Sequence, residues 1–166
     1  MIAPVEAVYA PRPAESTLPV SMEHIVCCGA DVDFAVRAIV SAMKHYPFGV
    51  FDGLAIQLGV SEALIRILNQ IKNRQIEAAL RLQTTVTPAF VRVQIDDLAR
   101  RAGANGFSDQ EQPGILPAEL SRQLQFTKTY MTSIEIRQAG RQIVLHRARG
   151  QGSTISTLPY GYDFQI

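Results

Sequence analysis

The sequence predicts an α+β fold, mainly α, in which an N-terminal helical domain with a helix-turn-helix-like corner is followed by a small C-terminal β-hairpin region. Three observations carry that prediction. Apolar residues recur at helical spacing from Val32 onward, as in DVDFAVRAIVSAMKHY over 31–46. A glycine, Gly59, interrupts the second apolar run four residues after the small Ala55. Beyond Tyr130 the period shortens to two, the spacing of a strand.

Residues 1–20 carry prolines at 4, 11, 13 and 19 with little periodicity, which reads as a flexible N-terminal arm. The helical domain is expected over 21–103. Its first helix places Val32, Ala35, Val36, Ile39, Val40 and Met43 on one side, and Pro47 ends it because proline disfavours helical geometry in the residue before it. A second helix is expected over 48–58. Gly59 suits the left-handed residue that stops it, and Ser61 suits the cap of a third helix buried through Leu64, Ile65, Leu68 and Ile71. Asn73 can break the chain again, and RQIEAALRLQ offers Ile76, Ala79 and Leu80 to a fourth helix. TTVTPAFVRVQI over 84–95 is rich in β-formers and supports one strand, with DDLARRAG over 96–103 as a last helical turn or two.

Residues 104–117 are a linker by composition, and 118–166 form the second region. It begins with a short helix starting at Pro117. A hairpin over 130–150 follows, turning at Gln138-Ala139-Gly140, where Gly140 supplies the positive φ that the turn needs. The tail places Tyr160, Tyr162 and Phe164 at spacing two, as an edge strand or a docking peptide.

Apolar residues make up 47% of the 166, enough for a real core, and charged residues 19%, too few for a disordered polyelectrolyte. The net charge of +1 conceals a segregation. Residues 1–120 are net −3, whereas 121–150 hold Arg122, Lys128, Arg137, Arg141, Arg147 and Arg149 against Glu135 alone. Such a stretch fits either a phosphate-attracting ribbon or a solvated basic strand face. The N-terminus lacks the cationic start and apolar run of a signal peptide, and no stretch is apolar enough to span a membrane. The adjacent Cys27 and Cys28 read as reduced core thiols of a cytoplasmic protein, or as one disulfide across a dimer.

Chemistry-bearing patterns are sparse. His24, His45 and His146 are scattered without partners at ligand spacing, so no metal site is expected. No phosphate-binding glycine loop or nucleophile elbow occurs, and the pairs Asp31/Asp33 and Asp96-Asp97 sit where helix starts attract acids. The expectation is a non-enzyme without a cofactor. If the corner at Gly59 is a DNA-reading helix-turn-helix, Ser61, Glu62, Ala63, Arg66 and Gln70 face the major groove. Arg66 and Gln70 suit base reading, whereas Glu62 opposes phosphate.

The stretch from Leu58 to Asp96 resembles the D subunit of the flagellar master activator, the FlhD family, and its relatives on conjugative elements. The match runs through Leu58-Gly59-Val60 at the turn and Leu64, Leu68 and Ile71 in the next helix. It continues through Gln75-Ile76 and the extended Phe90-Val91-Arg92, and covers roughly residues 30–100. The chain departs from the family around His45–Val50, at Arg74, and in its long C-terminal extension. The resemblance implies an all-helical homodimer that activates transcription together with a zinc-containing C-type (FlhC-like) partner. On this reading the protein is a cytoplasmic regulator that binds double-stranded DNA, with Ser61, Ala63, Arg66 and Gln70 at the bases and Arg137, Arg141, Arg147 and Arg149 at phosphates. Two alternatives stand beside it. One is a protein–protein assembly module that never touches nucleic acid. The other is an RNA binder that uses Tyr130 and the basic hairpin. Helix 31–46, apolar over much of its girth, is the expected dimer surface.

Overall fold

A computed structural model of the chain describes residues 18–73, 79–98 and 117–150. The elements run β1 (Val20–Val26), α1 (Gly29–Met43), α2 (Val50–Asn73), β2 (Leu80–Val86), β3 (Phe90–Asp97), α3 (Pro117–Gln123), α4 (Gln125–Tyr130), β4 (Ser133–Arg137) and β5 (Gln142–Ala148). The five strands form one sheet in the order β1-β2-β3-β5-β4, and every neighbouring pair is antiparallel.

This architecture overturns the mainly helical reading. The sheet takes three strands from the region assigned to a helical domain and two from the region assigned to a hairpin, and β3 pairs with β5 from Phe90↔Ala148 to Asp96↔Gln142. The all-helical fold implied by the FlhD resemblance is therefore not the fold of this chain. Residues 1–17 of the arm expected over 1–20, residues 104–116 of the linker expected over 104–117, and the tail over 151–166 lie outside the described residues.

The register explains the burial. Val26, Leu80, Leu82, Val86, Val91, Val93, Ile95, Ile143 and Leu145 share one face of the sheet and are all buried. Against that face lie α1, through Val32, Ala35, Val36 and Ile39, and α2, through Ile56, Val60, Leu64, Ile67, Leu68 and Ile71. Each large side chain buried there contributes roughly 1.5–3 kcal/mol, so this single layer interface dominates the fold's stability. The opposite face is mostly polar: Gln83 donates to Glu23, Gln94 to Gln83 and Asp96, and Gln142 to Asp96 at 2.8 Å.

At the start of α1, the Asp31 carboxylate accepts the backbone N–H groups of Cys27 (2.9 Å) and Cys28 (3.0 Å). Those bonds, with a contribution from the Cys28 side chain, hold its pKa below the ordinary aspartate value. Both cysteines are exposed and unbridged, not core thiols, because the chain is turning there from the edge strand into the helix. The hairpin turn is as expected in one respect: Gly140 has a φ of 88°. No helix among the described residues is long and apolar enough to cross a membrane.

Candidate interaction surface

The predicted corner does not exist. From Val50 to Asn73 the chain is one continuous helix, with Gly59 and Ser61 in its interior. Gly59 is a contact point instead. A Cβ added there would collide with the Met131 side chain and lie 3.2 Å from Tyr130 Cβ, so the missing side chain lets α4 and the residue after it lie against α2. The signal read as a helix stop was a packing requirement.

With 3.6 residues per turn, a 24-residue helix presents two faces that can be followed end to end. The inner face is the core stripe described above. Directly opposite run Phe51, Leu54, Leu58, Ser61 and Ile65, a spacing of three, four, three and four residues. Phe51 is 79% exposed, Leu54 47%, Leu58 37% and Ile65 45%, and the neighbouring Val50 is 88% exposed. Glu62 and Arg66 flank this line on one edge and form an i,i+4 ion pair with each other, which neutralises that edge. Taking ~200 Å² for a fully exposed large side chain, the line and Val50 together offer roughly 500–600 Å² of apolar surface, the upper end of what a monomer leaves uncovered.

The base of α2 is fixed by a buried ion pair. Asp52, in its first turn, accepts from Arg147 of β5 at 2.9 and 3.2 Å, and its other oxygen accepts the Gly150 N–H at 2.9 Å. Arg147 also donates to the Tyr130 carbonyl at 2.9 Å. One guanidinium thus ties α2, α4 and β5 together, and the outer face of α2 is held rigidly with respect to the sheet.

The structure disperses the residues proposed for DNA contact. Ala63 is fully buried against the core, and Arg147 is 3% exposed in its pair with Asp52. Gln70 is half-buried, with Oε1 out of contact with solvent. Ser61 is half-buried on the outer line, and Arg66 is exposed but paired with Glu62. Arg137 is paired with Glu135. Arg141 and Arg149 are exposed, but they flank β5 at its two ends, ~26 Å apart at strand rise. No groove-reading face and basic ribbon are brought together. Among the described residues, no three of His, Cys, Asp and Glu converge as metal ligands do.

The expected dimer face on α1 is also largely consumed. Val32, Ala35, Val36, Ile39, Ala42 and Met43 point into the core, leaving Phe34 (69% exposed) edge-on to His24. The outer line of α2 becomes visible only when the helix expected over 48–58 and the one expected from Ser61 are joined through Gly59. No family model matches this chain, and no curated protein does.

Proposed function

We propose that the protein is a protein–protein assembly module and that the outer face of α2 is its working surface. The observation that carries this is the exposed line Phe51–Leu54–Leu58–Ile65, set opposite the core face of a helix that is itself locked to the sheet through Asp52 and Arg147. An apolar line of this length on a rigid support is what protein interfaces use at their centres, where charged groups are depleted. The exposed thiols of Cys27 and Cys28 suit a reducing compartment, and we place the module in the cytoplasm.

Reading of duplex DNA has less physical support. Its affinity term requires several free cations on one surface, whereas here Arg147 is buried, Arg66 and Arg137 are paired, and Arg141 and Arg149 are far apart. The deciding experiment sets a duplex gel shift at low salt beside sedimentation of the same preparation, with wild type and Leu58→Glu. Assembly that Leu58→Glu abolishes, with no retained duplex, supports the proposal. Duplex retention that falls steeply with salt, unaltered by Leu58→Glu, would reject it.

A further inference from the structure

We infer that the polar face of the sheet is a platform for single-stranded nucleic acid, centred on Phe90, Arg92 and His146. The inference is independent of the exposed line on α2, which faces away from the sheet. It starts from the register. Strand pairing sets Ser21, Thr85, Arg92, His146 and Ser133 side by side, one from each strand, in a row that crosses the whole sheet. The row beside it, Met22, Thr84, Val93, Leu145 and Ile134, packs toward the helices, so strand alternation turns the first row the other way. At ~4.8 Å per strand the row is ~19 Å long, room for a short run of nucleotides laid across the strands. Every side chain in it can donate a hydrogen bond, and none is acidic.

Charge on this face decides the kind of ligand. Its carboxylates lie in the rows beyond, and each is already engaged: Glu23 by Gln83, Glu135 by Arg137, and Asp96 by Gln142 and Arg81. Arg92 differs. Thr85 and His146 flank it across the sheet, Phe90 and Gln94 flank it along β3, and none of the ion pairs among the described residues includes it. An uncompensated guanidinium in a row of neutral donors selects an anion. The Phe90 and His146 rings stand beside it, half-buried, with centroids 5.1 Å apart. A guanidinium next to two rings matches a ligand that carries a phosphate and a flat base in each unit. A duplex does not fit, because its bases are stacked on one another and one free cation does little against its charge density. Tyr130, the ring expected for such a role, lies in the helical layer against Gly59.

The test is fluorescence anisotropy of oligouridine and oligothymidine, about ten nucleotides each, with the full chain across a salt series; the tighter ligand names the sugar. Binding is expected at low salt and should weaken as salt rises. Arg92→Gln should reduce the slope of log affinity against log salt by about 0.7, the share of one phosphate on a single strand. Phe90→Leu should weaken binding roughly 5–100-fold at every salt concentration, the effect of losing one stacked base. Where Phe90→Leu alters the circular dichroism spectrum, His146→Gln takes its place with the same expectation. Lys44→Gln, which removes an exposed cation at the end of α1, should change neither quantity. Absence of binding at low salt overturns the inference, and so does binding that Arg92→Gln and the ring variant both leave unchanged. Inorganic polyphosphate that competes as well as oligonucleotide at equal charge also overturns it, because the face then reads charge alone.

Discussion

Arg147 and Asp52 are ninety-five residues apart in the chain, and their side chains, 3% and 4% exposed, meet at 2.9 Å beneath the first turn of α2. The pair explains how a long helix with an apolar outer face is held to the sheet by more than its inner stripe. Asp52 also receives Gly150, and Arg147 also holds the Tyr130 carbonyl, so either single loss strands several buried polar groups. Asp52→Leu or Arg147→Met alone is expected to cost about 3–5 kcal/mol. The double variant should cost less than the two singles added together. Urea unfolding of the four members of the cycle measures this.

Gly59 is expected to resist enlargement although it lies inside a helix, where alanine would otherwise gain up to about 1 kcal/mol. The Met131 side chain and Tyr130 Cβ occupy the space. Gly59→Val should destabilise by about 1–3 kcal/mol, and Met131→Ala in the same chain should recover part of that. A turn glycine would show no such coupling to Met131, so the double variant separates the two roles.

Asp31 makes stability at the start of α1 depend on pH. Its folded pKa is depressed by the N–H groups of Cys27 and Cys28. The contribution is therefore complete above the unfolded aspartate pKa, near ~4, and is lost as pH falls through the lower folded value. In urea titrations, Asp31→Asn should lower the midpoint at neutral pH, and the gap to wild type should close on acidification below ~4. A gap that persists in acid would assign the effect to something other than the carboxylate's charge.

Arg141→Ala with Arg149→Ala should leave stability within about 0.5 kcal/mol of wild type, as expected for exposed positions. Neither wild type nor the double variant is expected to retain duplex DNA at low salt. Retention by wild type that the double change removes would restore the basic hairpin as a phosphate contact.

Some of this fold is legible in the sequence. The spacing of Val32, Val36, Ile39 and Met43 describes α1 and its inner face, and Gly140 marks the hairpin turn. Three features are obscured for physical reasons. In β1 the inward positions include His24 and the outward positions include Ile25, so the alternation is blurred. In β2, Leu80 and Leu82 follow Glu77, Ala78 and Ala79, and local helix propensity competes with a strand pattern that only tertiary pairing decides. Gly59 looks like a helix end because a close-packing glycine and a capping glycine are the same residue in sequence. With α2 divided at Gly59, Ile65 falls on the expected core stripe and the line from Phe51 is broken. Arg147 could not be told from its neighbouring arginines, since its burial depends on Asp52 nearly a hundred positions away.

We propose that the outer face of α2, and not α1 or the arginine-bearing hairpin, is where the protein assembles. Hydroxyl-radical footprinting across a protein dilution series tests it most directly. Labelling of Phe51, Leu54, Leu58 and Ile65 is expected to fall as concentration rises while Phe34 stays constant. Labelling of those four that is independent of concentration, or protection of Phe34 in their place, would contradict it.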